Sequence, residues 1–496
     1  MTRLQNADLK ARVAVAALVL LAITLACRAQ PTASTDRLPS EDWTYDALRH
    51  FAARGLVPGM SAQRFDGDWL YTREEMAAFV RQVAVSPDVA EGDRPILAKL
   101  AAEFLPELTL AGADSVLAEI ERSGTARTLL GTGAFEPRVA ISKGDTDLIG
   151  IYDVTALGVL GRDVMAVGTL SDRRREFDGD AFSRLEKLFI SGKTPSWEWG
   201  LGKDWLWWGP GYSGSMILSD NSPAFPMLKM GKDFYFGRHI GRVKVTQFLG
   251  RFEDDGQTFY LAGRRWEKRF STRLHVGISE TAKTSKRPNP LILILPSIYL
   301  YQHIYIQDVD KEFNVLVGMD ATYRFSPRFE SYFDLLVDDM KAPKFLREGP
   351  AWNVPRKVGL LVGGNWPDVL GDGTTGLRAE YIFTDPGTYG ATRPDLPQLA
   401  YTHDGFVIGH PVGPNSKAVF LRVDRKLGTA WAAAAEYLGR TPHKPDGPNP
   451  ESTHRISLLL AHELYSCSRL SLTLRYDSLK LPAKENRVQV GVSYAF

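Results

Sequence analysis

The residues best suited to chemistry lie between Gly202 and Pro226. Trp205, Trp207, Trp208 and Tyr212 alternate there with Asp204, Ser213, Ser215, Ser219, Asp220 and Asn221, among glycines and prolines. Indole faces stack on the apolar faces of sugar rings, while Asp, Asn and Ser supply partners for hydroxyls. The stretch is too rich in Gly and Pro to be a strand. It reads either as a sugar-contacting loop or as a long loop folded inward with its Trp residues wedged for packing. Trp207, Trp208, Asp204 and Asn221 are its candidate binding residues. A second mix of flat rings and hydrogen-bonding groups runs from Tyr389 through Tyr401, His403 and His410 to Asn415. Tyr389, His403, His410 and Asn415 join the candidates from that stretch. Lys341, Lys344 and Arg347 in another loop are placed to meet acidic sugars.

Catalytic signatures are missing. There is no Gly-Lys-Ser/Thr phosphate loop, no two-His metalloprotease motif and no nucleophile elbow. Ser219 with His239 or His410 is the one vague Ser–His pairing, and no spacing supports it. Asp338-Asp339 cannot work on one substrate in a regular strand, because neighbouring residues point to opposite faces. That pair marks a strand end. His462-Glu463 lacks a zinc-site partner. The only cysteines are Cys27 and Cys467, which leaves no cysteine metal site and no internal disulfide once an export segment is removed. No catalytic residue, metal or cofactor is expected. The net charge of +2 argues against a nucleic-acid partner.

Elements that could position these residues follow from periodicity. Arg3, Lys10 and Arg12 precede an apolar run over Val13–Ala26, the pattern of an export signal over 1–29. Cleavage after Ala29 or lipid attachment at Cys27 would both fit. Residues 40–122 read as helical. Trp43, Leu48, Phe51 and Ala52 fall at helical spacing, Thr72 caps a helix carrying Met76, Phe79, Val80 and Val83, and further helices fit 95–104 and 113–122. From about 127 the period becomes two. Phe313, Val315, Val317, Met319, Ala321, Tyr323 and Phe325 alternate with Asn314, Leu316, Gly318, Asp320, Thr322 and Arg324, and 328–338 repeats the pattern after a tight Ser326-Pro327 turn. About 18 such segments run to Phe496, and each apolar face tends to end in an aromatic. The last strand alternates Val488, Val490, Val492, Tyr494 and Phe496, resembling the assembly signal of outer-membrane proteins. The expectation is an all-β protein: a roughly 18-stranded antiparallel transmembrane β-barrel over 127–496 in the outer membrane, a monomer, preceded by a small periplasmic helical domain. The opposite faces carry both charge signs, including Asp320, Asp334, Arg378, Glu380, Arg422, Asp424 and Glu436. They form either a salt-bridge lattice or the selectivity lining of a pore.

Two resemblances bear on function. The run Trp43-Thr44-Tyr45-Asp46-Ala47-Leu48, with Gly55-Leu56 and Tyr71-Thr72-Arg73-Glu74-Glu75-Met76-Ala77, resembles one S-layer-homology-type repeat. It implies either peptidoglycan contact or a helical bundle packed at the periplasmic mouth. The pattern Trp207-Trp208-Gly209-Pro210-Gly211, Ser215-Met216-Ile217-Leu218-Ser219-Asp220-Asn221 and Pro226 resembles the capsule-assembly Wzi family. So do Tyr332 to Asp339, Arg378-Ala379-Glu380-Tyr381, Pro386-Gly387-Thr388-Tyr389, Tyr401-Thr402-His403 and Ile408 to Asn415. That resemblance implies an 18-stranded outer-membrane barrel with a lectin-like role in holding capsular or exopolysaccharide at the surface. A solute channel shares the fold and is the competing function.

Overall fold

The computed structural model describes residues 43–108 in part and 128–495, apart from short connections and from 172–183, 289–312 and 339–356. The export segment, the helix expected over 113–122, His239 and the loop cations Lys341, Lys344 and Arg347 lie outside the described residues.

Three helices come first: α1 (Trp43–Ala53), α2 (Arg73–Ala84) and α3 (Arg94–Glu103). Their apolar stripes meet in one core that includes Leu48, Phe51, Met76, Val80, Ile96 and Leu100. Arg73 opens α2 from within that core. It pairs with Glu103 at 2.7 Å and Glu107 at 2.9 Å, and its guanidinium lies 4.9 Å from the Phe104 ring. A buried charge held by two carboxylates fixes the start of α2 to the end of α3.

Strands follow. They are β1 (Thr128–Ser142), β2 (Asp145–Val159), β3 (Val164–Ser171), β4 (Arg184–Lys193), β5 (Glu198–Asp204), β6 (Phe225–Tyr235) and β7 (Arg242–Asp254). Next come β8 (Gln257–Arg269), β9 (Leu274–Thr284), β10 (Phe313–Ser326), β11 (Phe329–Asp338), β12 (Val358–Trp366) and β13 (Thr375–Thr384). A small hairpin of β14 (Thr402–His403) and β15 (Phe406–Val407) interrupts the series. The chain ends with β16 (Ser416–Leu427), β17 (Trp431–Pro442), β18 (Ser452–Tyr465), β19 (Ser468–Lys480) and β20 (Lys484–Ala495). All but the hairpin belong to one 18-stranded sheet in which sequence neighbours pair antiparallel. β1 pairs with β2 and also with β20, as in Val139 opposite Val490.

Alternation sets the two faces. In β11, Glu330, Tyr332, Asp334, Leu336 and Asp338 are buried, while the residues between them face the other way. The outer face is apolar and open, as at Met319, Val362, Val419, Leu421, Leu458 and Leu472. Near one rim its rings gather: Phe325 stacks on Phe329 at 5.3 Å and Phe329 on Trp366 at 4.5 Å, while Trp431 meets His462 edge-on at 4.2 Å. This is the pattern a wall facing hydrocarbon needs, with rings at the headgroup level.

The connections divide by length. β1 begins and β20 ends at the rim that carries the turns 327–328, 428–430 and 466–467. Every connection of nine or more residues leaves from the opposite rim, at 172–183, 205–224, 285–312, 339–357, 385–415 and 443–451.

Inner-face packing is tight where glycine meets an aromatic across the ladder. Gly363 pairs with Tyr332, and a Cβ on Gly363 would run into the Tyr332 ring. Gly363→Ala should therefore lower stability by about 1–3 kcal/mol, the usual range for overpacking. The gel-shift temperature at which the folded form disappears reads this out. An unchanged temperature would mean that Tyr332 moves aside without cost.

Candidate functional site

The site is built from two connections that leave the long-loop rim and fold back inside. The first is 205–224, between β5 and β6. Asp204 is buried, and its Oδ1 accepts the Trp205 N–H at 2.9 Å, turning the chain off the strand. Trp208 N–H then donates to the Leu218 carbonyl at 3.0 Å, pinching the loop into a narrow finger. The Trp208 ring meets Phe248 of β7 edge-on at 5.3 Å. Met216, Ile217 and Leu218 are almost fully buried in the same cluster as Leu316, Leu336 and Leu361 of the inner wall.

Two wall carboxylates hold the finger by its backbone. Glu380 of β13 accepts Tyr212 N–H at 2.6 Å, Ser213 N–H at 2.9 Å, the Ser213 hydroxyl, and the Tyr332 hydroxyl at 2.7 Å. Asp334 of β11 accepts Met216 N–H at 2.8 Å and the Ser215 hydroxyl at 3.1 Å. These bonds satisfy groups that would otherwise be orphaned donors in a buried place. Gly209 has φ of +148°, and a Cβ there would collide with Asp334 and Ser215, so close approach requires glycine.

The second connection, 385–415, straps over the finger. Asp338 accepts Tyr389 N–H at 2.8 Å, and Asn314 of β10 donates to the carbonyls of Gly390 and Leu399, both at 2.9 Å. Lys283 of β9 is buried and donates to the carbonyls of Ala400 at 2.9 Å and Thr402 at 2.8 Å. Finger and strap are stitched together directly. Tyr389 hydroxyl donates to Met216 O at 2.6 Å, Ser219 hydroxyl to Gly409 O at 2.7 Å, and Asn221 amide to Val407 O at 2.8 Å. His403 Nδ1 lies 3.0 Å from Pro223 O. Asn415, at φ of +56°, donates to the carbonyls of Lys444 at 2.8 Å and Pro448 at 2.7 Å, tying in the next rim loop.

The candidate residues chosen from sequence are thus brought close together, but along a seam. Asp204, Trp208, Tyr389, His403, His410 and Asn415 are buried, while Trp207 and Asn221 are half-buried. Tyr389 and His410 are the two of these expected to matter for retained polysaccharide. Both side chains point into the finger–strap contact, because a loop this long must bury apolar area and satisfy its own polar groups to hold one shape.

Of the two Ser219 pairings, the one with His410 lies among the described residues. His410 Nδ1 accepts Val412 N–H at 3.2 Å, so its proton sits on Nε2, which faces Ser213 Oγ at 3.3 Å. An imidazole that presents N–H to the hydroxyl is no base for it, and the Ser213 proton goes to Glu380. Ser219 is committed to Gly409 O. Burial pushes the His410 imidazole down to about 3. Its folded value therefore lies below its unfolded one, and the neutral ring contributes stability that is lost as pH falls from about 6.5 toward 3. Hydrogen exchange at 408–415 should accelerate over that range relative to the barrel strands, and His410→Gln should abolish the difference. A pH-independent protection in the parent protein would contradict this.

Comparison with known proteins follows from this geometry. The sequence profile of the capsule assembly protein Wzi family matches residues 131–492, which include both finger and strap. The chain belongs to the Wzi family. No curated protein matches it. Among solved structures it is similar to Wzi of Escherichia coli, described as an outer membrane protein involved in group 1 capsule assembly and as a carbohydrate-binding β-barrel. The TM-score is 0.58 at 14% identity, covering 93% of this chain and 99% of that one. Two Pseudomonas aeruginosa proteins match less well. OccD3 has a TM-score of 0.41 at 9% identity, over 75% of this chain and 92% of its own. OccK11 has 0.42 at 10%, over 75% and 97%.

Within this Wzi-family chain, sequence reasoning missed the roles of Glu380, Asp334, Asp338, Asn314 and Lys283. From sequence, Asp334 and Glu380 belong either to a lattice of side-chain ion pairs or to the lining of a pore. Such pairs exist elsewhere on the wall, at Arg265 with Asp320 and Glu267, and at Arg422 with Asp424 and Glu436. The two finger-holding carboxylates instead spend themselves on loop backbone. The available signal was a long loop rich in small residues, whose N–H groups need acceptors wherever it folds inside.

Proposed function

We propose that this chain is an outer-membrane β-barrel that holds capsular or exopolysaccharide at the cell surface, as a non-catalytic, lectin-like monomer with its interior sealed by its own loops. The carrying observation is the finger bound to Glu380 and Asp334 beneath a strap, in a chain whose family is that of capsule assembly. A finger and strap hydrogen-bonded and packed to this degree support attachment over solute diffusion. With the long loops outward and the chain ends inward, glycan contact falls to the outer rim. Half-buried Trp207 and Asn221 are its innermost contacts, and the buried Asp204, Trp208, Tyr389, His403, His410 and Asn415 act by shaping the loops. The helical region then lies in the periplasm, within reach of peptidoglycan. The outer apolar face takes lipid.

Planar-bilayer recording separates the two functions. Purified protein should give no large, steady open conductance. A stable open level like that of a diffusion pore would overturn the sealed reading and favour the channel.

A further inference from the structure

The stretch Arg378-Ala379-Glu380-Tyr381 puts two charges on the inner face, and the finger uses only one of them. Glu380 is spent on Tyr212, Ser213 and Tyr332. Arg378, two residues away on the same face of β13, stands directly opposite Arg422 of β16. Like charges opposite one another across a ladder destabilise a sheet. Arg422 has its compensation: it bonds Asp424 at 2.8 Å, Glu436, and the Tyr212 hydroxyl at 2.6 Å. Arg378 makes no ion pair among the described residues. Its guanidinium lies 4.4 Å from the Tyr212 ring centroid, a cation–π contact, and no hydrogen bond from its N–H groups is found among the described residues. On its other side the register brings Asn365, whose amide is turned to Glu330 at 3.4 Å. Arg378 is half-buried, so solvent still reaches it.

Its height in the barrel matters. Arg378 is the fourth residue of β13 from the short-turn rim, and Glu380, which grips the finger tip, is farther in. The finger tip therefore lies on the long-loop side of Arg378, and the rim where β1 begins and β20 ends lies on its other side. A fork of donors set against an aromatic ring, with no ion-pair partner among the described residues, matches a carboxylate or phosphate.

We propose that Arg378, braced on Tyr212 beneath the finger, is an oxyanion-binding site in the barrel interior that takes a carboxylate- or phosphate-bearing ligand from the short-turn rim. The site stands on geometry separate from the glycan reading and does not require it.

Ligand-observed NMR on the full chain in detergent micelles tests this with three probes: galacturonate, inorganic phosphate and neutral glucose. At least one anion should bind where glucose does not, and which anion binds distinguishes a sugar acid from a phosphate source. Arg378→Gln should weaken that binding about tenfold or more, the loss of a bidentate charged contact. Arg378→Lys keeps the charge but not the fork and should fall between, so it decides the matter if the Gln variant does not fold. Binding unchanged in the folded variants, or anions no better than glucose, overturns the site.

Discussion

Replacing both Glu380 and Asp334 by alanine is expected to open the barrel. In planar bilayers the variant should show discrete conductance steps where the parent shows none. The reason is the number and kind of bonds lost. Glu380 and Asp334 together accept three backbone N–H groups of the finger at 2.6–2.9 Å, besides the Ser213 and Ser215 hydroxyls. Hydrogen bonds to charged groups contribute about 1.5–3 kcal/mol each. Losing even two at the low end shifts the seated-to-released ratio of the finger by about 100-fold. The wall itself is untouched, since both side chains point inward and their strands keep their full ladders. The folded form should still run as a heat-modifiable band. A variant that is folded yet as silent as the parent would mean that apolar packing of Met216, Ile217 and Leu218 alone seats the finger.

The second large effect is expected at Tyr389. Its ring is buried, its hydroxyl reaches Met216 O at 2.6 Å, and its N–H is held by Asp338. Tyr389→Ala removes the ring and one stitch at once, costing about 3–5 kcal/mol on the scale of aromatic truncation in cores. Because the backbone bond to Asp338 is retained, the loss should stay local to the strap. Hydrogen exchange across 385–415 should rise sharply while β10 to β13 remain protected. Surface-retained polysaccharide should fall with it, as the outer rim loses its shape. Tyr389→Phe, which keeps the ring and loses only the hydroxyl, should show the smaller share of both effects. If retained polysaccharide is unchanged while the strap is demonstrably loosened, the strap takes no part in holding glycan.

How much of this was readable beforehand varies by element. β10 and β11 are plain in the sequence because a wall with water-side and lipid-side faces forces a period of two, which 313–325 and 329–337 keep on either side of the turn. The helices were equally plain where stripes such as Met76, Val80 and Val83 face one core. The finger could be placed only as inward or sugar-facing, since Gly, Pro and Trp suit both. What decided it was partners far along the chain: Ser215 with Asp334, Ser213 with Glu380, Tyr389 with Met216. No local pattern encodes such pairings. A buried acid awaiting backbone N–H groups looks, in sequence, the same as one awaiting an arginine. Hence rings and hydrogen-bonding groups that suit a sugar-binding surface were found serving a loop seam. Arg378 shows the converse, a charge that looked like part of a lattice and has no lattice partner among the described residues.

Binding tests most directly whether this protein holds polysaccharide. Purified protein in detergent should be mixed with the polysaccharide extracted from its own host, and separately with a neutral dextran, and the complex measured by co-sedimentation. The account predicts saturable retention of the host polysaccharide and none of the dextran. No retention of the host polysaccharide by folded, heat-modifiable protein would contradict it.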